Sequence, residues 1–316
     1  MNPQKIPHLI SRRALVLSGI TAGFAGSPAF AQGAQISIAV GSDPVFTPIF
    51  VAAHEKIFAA QGVDVIVKPT TDGATAMDAL VAQQVNLACA SEPTHLVRLA
   101  RADLKPLAVV QESGRYIKLV VRKGISAPAQ IKKFGLVPGS VSEYVTGLLI
   151  KKSGIDPASI QMVKSGPPEI PALLARGDID AFFLWEPWPT NGVRQGGEVL
   201  MTSEDVGYKT ALWLTALGPW FEANKSSAQS VLKAIKQGAD IARKDPQRAA
   251  AAVQAAIKTP QATTIALLKE LDCVVRDFND QDIRSVKGIS EFLAQQKAIA
   301  APVDPARFLQ TGFFKG

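Results

Sequence analysis

Seven short stretches, residues 41–47, 70–75, 91–94, 112–114, 138–143, 165–169 and 185–188, place small polar or aromatic residues where a strand pattern gives way to a helix pattern. A glycine, serine or threonine at a helix start leaves backbone N–H groups without intrahelical acceptors, and the positive end of the helix dipole adds to them. Such a place holds a carboxylate, sulfonate or other oxyanion without requiring Arg or Lys. The candidate ligand-binding residues are Ser42, Phe46, Thr47, Asp72, Gly73, Thr75, Ser91, Glu92, Gly139, Ser140, Ser142, Trp185 and Glu186. Taken singly, Thr75, Ser140 and Ser142 read first as helix caps, and their recurrence at successive strand ends is what supports binding. Trp185 ends an apolar run and reads equally as core or as a ligand wall. Glu92 and Glu186 read first as complements to helix dipoles. If either reached the ligand, a cationic or zwitterionic molecule such as an aminosulfonate would be favoured.

Catalytic patterns are lacking from the sequence. No two glycines are spaced G-x-G, and there is no phosphate loop, H-E-x-x-H pair or G-x-S-x-G elbow. His54 and His95 fall in helix patterns and read as satisfied helical histidines rather than as ligands or bases. No metal and no cofactor is expected, and the chain reads as a non-enzyme. Cys89 and Cys273 sit in apolar stretches. Two separate buried thiols is the first reading; a disulfide stays open, because sequence alone does not show that they meet.

The elements that must position these residues follow from hydrophobic periodicity. Strands are expected at 36–40, 64–68, 86–90 and 107–111, with helices at 48–60, from 72, and at 92–100 between them. That alternation implies a parallel sheet flanked by helices. A longer alternating strand at 116–122 opens a second α/β unit, with strands at 134–137, 160–163 and 181–185 and helices at 142–152 and 167–176. An extended apolar run at 210–217 precedes an almost wholly helical tail, with helices at 226–243, 246–258, 260–271 and 281–298 broken by Pro246 and Pro260. Two lobes joined by crossings near 115–122 and 208–217 are the preferred organisation, with one doubly wound domain plus a helical extension as the alternative.

Residues 1–31 read as an export signal. Ser11-Arg12-Arg13-Ala14-Leu15 precedes an apolar run too short to span a bilayer, and Ala29-Phe30-Ala31 gives a cleavage site before Gln32. The Ser-Arg-Arg-x-Leu pattern matches the twin-arginine route. The formal balance is +7; Lys5, Arg12 and Arg13 belong to this leader, so 31 basic against 27 acidic residues remain, or +4. No dense basic block is left to argue for nucleic acid. A periplasmic, freely diffusing monomer is expected.

The chain resembles the periplasmic substrate-binding proteins of the nitrate/taurine/alkanesulfonate branch of ABC importers, which also contains thiamine-precursor binders. The resemblance is carried by Pro48-Ile49-Phe50-Val51-Ala52-Ala53 leading to Ile57-Phe58-Ala59-Ala60-Gln61-Gly62-Val63-Asp64-Val65, then by Asp72-Gly73 with Ala79-Leu80. Asn86-Leu87-Ala88, Leu119-Val120-Val121-Arg122 and Pro138-Gly139-Ser140 continue it, as do Leu173 to Ala181 and the turn Trp185-Glu186-Pro187. Lys56-Ile57 departs from the family, which usually has a glycine there, and the cysteine-rich motif of related pyrimidine synthases is missing. The resemblance implies an α/β, two-lobed periplasmic-binding-protein fold (type II): two parallel-type sheets flanked by helices, two hinge-crossing strands and a helical C-terminal region. It implies lobe 1 from 32–118 and 211–316, lobe 2 from 119–210, and loops of both lobes around a small-molecule ligand. It also implies an inner-membrane ABC permease as partner, besides the twin-arginine machinery that the leader implies. A small sulfonate or taurine-like anion or zwitterion is the expected ligand. Nitrate, bicarbonate, an aromatic carboxylate or a thiamine pyrimidine precursor are the alternatives, and an exported α/β enzyme is the rival from another class.

Overall fold

The computed structural model describes residues 34–316. The expected export signal, with its expected Ala31–Gln32 cleavage site, lies outside them. The strands are β1 Ile36–Gly41, β2 Val65–Thr70, β3 Leu87–Ser91, β4 Leu104–Ser113, β5 Lys118–Arg122, β6 Lys133–Leu136, β7 Gln161–Lys164, β8 Ala181–Leu184, β9 Gly197–Thr202 and β10 Thr210–Leu217. The helices are α1 Thr47–His54, α2 Ile57–Ala60, α3 Gly73–Val81, α4 Glu92–Leu96, α5 Val141–Lys152, α6 Ile170–Arg176, α7 Trp188–Arg194, α8 Gly218–Ala223, α9 Lys225–Lys244, α10 Pro246–Ile257, α11 Gln261–Leu268 and α12 Asp280–Gln295. Among the described residues no helix is long and apolar enough to cross a membrane.

Two five-stranded sheets result, ordered β2-β1-β3-β10-β4 and β7-β6-β8-β5-β9. The pleat explains how β1 is buried on both faces: Ile36, Ile38 and Val40 enter the main core, while Ala39 joins Met77, Leu80 and Ala88 on the other side. In the tail, α9 buries Ala228, Val231, Leu232, Ile235, Ala239 and Ala242, a stripe at helical spacing that turns one face to the main core.

Both sheets are mixed, which corrects the expectation of parallel ones. The cause is where the chain crosses. β3 ends at Ser91 and β10 begins opposite it, with Leu212 paired to Ser91 and Thr210 to Ser113 of β4. A chain that returns to the first sheet at its strand ends must run backwards through it. β5 enters the second sheet the same way, with Lys118 opposite Leu184 at the end of β8. Sequence periodicity reports a strand's existence but not its direction.

Smaller differences have local causes. The helix expected over 48–60 is broken at Lys56, which adopts the left-handed conformation at φ 55°. That backbone suits glycine, which accounts for the residue usual at this point in the family. The helix from 92 stops at Leu96 and the last long helix at Gln295. Residues 116–117 precede β5 rather than forming part of it. The α7 helix and β9 were not expected: Pro189 and Gly192 punctuate the first, and Gly196–Gly197 reads as loop.

Candidate functional site

The ends of β1, β2 and β3 meet the start of α5 and the end of β8 across a cleft with a cavity volume of about 50 Å³. Tyr116 and Ile117, from the first connection between the sheets, and Thr210 and Leu212, from the start of β10, supply the remaining wall. A larger hollow, of about 680 Å³, lies between α5 and α12 and shares no lining residue with the cleft.

Six of the sequence-derived candidates line the cleft: Phe46, Asp72, Gly73, Ser91, Ser140 and Trp185. Asp72 also caps α3, its Oδ1 accepting from the Thr75 N–H at 2.7 Å and the Thr75 hydroxyl at 2.9 Å. Ser140 caps α5, accepting from the Ser142 N–H at 3.1 Å and donating to the Val137 carbonyl at 2.8 Å. Capping spends the side chains but leaves the first N–H groups of each helix unpaired by the helix itself: Gly73 and Ala74 on α3, Val141 on α5. All three of these residues line the cleft.

The other seven candidates are placed elsewhere. Ser42 is exposed, its N–H tied to the Thr70 carbonyl. The Thr47 hydroxyl turns back to the Pro44 carbonyl at 2.5 Å. Thr75 is occupied by Asp72, and the Ser142 hydroxyl accepts from the Val137 N–H at 3.3 Å. Gly139 holds a left-handed turn at φ 63°, its N–H bound to Glu143. Glu92 faces away from the cleft towards a second hollow, where it accepts from the Tyr208 hydroxyl at 2.7 Å. Glu186 is buried beside the cleft and pairs with the Lys118 ammonium at 3.3 Å.

Sequence reasoning missed Asp43, Tyr116, Thr94 and Thr210, which all line the cleft. Asp43 stood inside a loop already singled out, but Asp before Pro reads as a turn or cap. It does cap the short 3-10 helix Pro44–Phe46, with Oδ1 accepting from the Val45 N–H at 2.8 Å. The same oxygen accepts the Tyr116 hydroxyl. Burial pushes the Asp43 carboxyl up to about 7; hydrogen bonds from Tyr116 and Val45 oppose the rise, and the Glu186 charge adds to it. Burial likewise raises the Tyr116 phenol well above its usual range, with the Asp43 charge next in effect.

His95 is fully buried outside the cleft, with Nδ1 2.8 Å from the Ser91 carbonyl and Nε2 without a partner. Burial brings its pKa down to about 4. No hydroxyl in the cleft is hydrogen-bonded to an imidazole, and among the described residues no group of three or more His, Cys, Asp or Glu is placed to hold a metal ion. Cys89 and Cys273 are separate buried thiols.

These buried groups make stability depend on pH. Burial is the main cause that takes Asp43 from 3.8, and Glu92 from 4.5, up to about 7 in the folded state. Each therefore holds its proton more tightly folded than unfolded, so its contribution is full below about 4 and is lost as pH rises towards about 7. His95 works oppositely, costing stability as pH falls from 6.5 to about 4. Two carboxyls outweigh one imidazole, so these three groups together lower unfolding free energy between about pH 5 and 7. Asp43→Asn is expected to flatten that slope by about one proton, which urea unfolding across this window measures; an unchanged slope would remove Asp43 from the account.

The chain has relatives with known names. Over 180 residues it is 28% identical to the taurine-binding periplasmic protein of Escherichia coli (strain K12), a match that spans 56% of each chain. The fold is shared with the periplasmic aliphatic sulphonate-binding protein SsuA of Escherichia coli, at TM-score 0.77 and 18% identity over 89% of this chain and 94% of that one. It is shared also with the periplasmic nitrate-binding protein NrtA of Synechocystis PCC 6803, at TM-score 0.70 and 15% identity over 88% and 86%. Likenesses at that identity establish the two-sheet periplasmic-binding-protein fold. The family model described as NMT1-like matches residues 31–258, most of the chain, and on that match the chain belongs to the NMT1-like family.

Proposed function

We propose that this chain is the solute-binding component of an ABC importer, capturing a small sulfonate or taurine-like anion or zwitterion in the periplasm and presenting it to a membrane permease. One observation carries the reading: loops from the ends of both sheets converge on one narrow cleft, with free helix-start N–H groups and Trp185 in its walls. The taurine-binding relative and the sulfonate- and nitrate-binding neighbours support it. Residues 1–31 act in this reading as the twin-arginine export signal, cut between Ala31 and Gln32, and the receptor works as a monomer.

The two connections, 114–117 and 203–209, serve as the hinge between lobe 1 (32–118 and 211–316) and lobe 2 (119–210). A ligand that touches both lobes favours the closed arrangement by its extra contacts there, and the permease reads that population shift. The chemistry is capture and release, without turnover.

Titration calorimetry with taurine, ethanesulfonate, nitrate, bicarbonate, benzoate and a thiamine pyrimidine precursor tests this. Saturable binding of at least one is expected, and Trp185→Ala should weaken it about tenfold or more, as the loss of a large aromatic wall implies. Trp185 is only partly buried, so the melting curve should shift little. Silence across the panel together with turnover of any member would favour the exported enzyme instead.

A further inference from the structure

We infer that Asp43 selects a solute carrying a positively charged nitrogen, and that this nitrogen, more than any acidic group on the ligand, sets specificity. The inference rests on the receptor reading above and names the substrate class of the same cleft.

Asp43 is 5% exposed and lines the cavity. Its hydrogen bonds, from the Val45 N–H and the Tyr116 hydroxyl, both go to Oδ1, so Oδ2 has no hydrogen-bond partner among the described residues. No Lys or Arg lines the cleft. The Lys118 ammonium is already shared between Glu186 at 3.3 Å and Glu270 at 2.9 Å. That ammonium is thus already engaged by two carboxylates, and the cleft is short of positive charge. A buried carboxylate without a counter-charge is costly, and that cost is relieved when a cation arrives.

The walls fit the same occupant. Phe46, Tyr116 and Trp185 present aromatic rings to the cavity, and ring faces attract ammonium groups. A plain sulfonate meets the N–H groups of α3 and α5 but brings its charge close to Asp43 with nothing to offset it. A zwitterion satisfies both ends. A simple alkylammonium satisfies the costlier one.

Calorimetry with three probes of similar size tests the inference: taurine, ethylammonium chloride and sodium ethanesulfonate, each against the wild-type protein and Asp43→Asn. The wild type should bind taurine at least tenfold more tightly than ethanesulfonate, and ethylammonium more tightly than ethanesulfonate. Asp43→Asn should weaken taurine and ethylammonium by about 10- to 100-fold, the loss of one charge-assisted hydrogen bond, and leave ethanesulfonate unchanged or tighter. Equal binding of taurine and ethanesulfonate by the wild type, or undiminished taurine binding by a folded Asp43→Asn, overturns the selection by Asp43 while the receptor reading stands. Binding of none of the three, with none of the wider panel, overturns both. The wild-type comparison needs no variant, so it decides the matter even if Asp43→Asn fails to fold.

Discussion

Gly238→Ala is expected to lower unfolding free energy by about 2 kcal/mol or more, although the same change in most exposed helices would raise it. Gly238 lies in α9 where that helix crosses α1, and a Cβ built there stands 2.2 Å from the Pro48 carbonyl oxygen and 3.2 Å from the Ala52 nitrogen. Both are backbone atoms of a buried helix, so no side chain can swing aside and the helices must separate. Alanine favours a helix interior over glycine by about 1 kcal/mol, a gain too small to offset overpacking at that distance. Gly288→Ala on α12 is the control. Its added Cβ would meet only the Tyr144 hydroxyl at 4.0 Å, so it should be neutral or stabilising by up to about 1 kcal/mol. Urea unfolding of both variants measures the difference, and equal midpoints would contradict the backbone contact. The consequence reaches the cleft, because α1 directly follows the loop that holds Asp43 and Phe46. A displaced α1 should therefore also weaken ligand binding.

That coupling shows what local sequence reveals and what it does not. The strands at 36–41 and 210–217 and the helices at 141–152 and 225–244 follow from apolar spacing, because burial on a period of two or of about 3.6 leaves its mark residue by residue. The position of β10 between β3 and β4 left no such mark, since partner choice depends on where the chain crosses between sheets. The candidate site divides in the same way. Each loop that lines the cleft had been singled out, apart from Tyr116–Ile117 and the start of β10. Within the loops, however, neighbouring residues face different ways. Ser42 is solvent-exposed while Asp43 beside it is buried in the cleft wall, and Ser91 lines the cavity while Glu92 turns to the far side. A turn has no fixed side-chain period, so composition identified the loop and only the backbone path could identify the residue. Lys56 is the opposite case: its left-handed backbone is one that glycine adopts most readily, and a lysine there gives no sign of it in the sequence.

Arg276→Met should cost about 3 kcal/mol of stability while leaving ligand affinity nearly unchanged at temperatures well below unfolding. Arg276 lies in the segment between α11 and α12, which covers the exposed edge of β4. Its backbone exchanges both hydrogen bonds with Val109 at 3.0 Å, and Asp272 does the same with Glu112 at 2.9 and 3.1 Å. An uncovered edge strand is a site for unwanted pairing, so this segment protects the sheet as well as leading into α12. The guanidinium fixes the arrangement. It binds Asp282 through two hydrogen bonds, at 2.6 and 3.0 Å, and Glu112 through a third. Burial alone would lower the Arg276 pKa, but Asp282 and Glu112 hold it above the ordinary value, so the charge is permanent. Asp282 is 6% exposed and among the described residues its only salt bridge is to Arg276, whereas Glu112 keeps Lys209 at 3.3 Å. Methionine fills the space of the aliphatic stem but leaves the Asp282 carboxylate buried without a counter-charge, and that is where most of the cost arises. Asp282→Asn added to Arg276→Met should therefore recover part of the loss, because the amide carries no charge and its oxygen can still accept from the Asn279 N–H. A double-mutant cycle by urea unfolding reads the coupling directly; costs that simply add would show that the pair does not interact. None of Arg276, Glu112 and Asp282 lines the cleft, so stability and binding should separate in this variant where in Gly238→Ala they fall together.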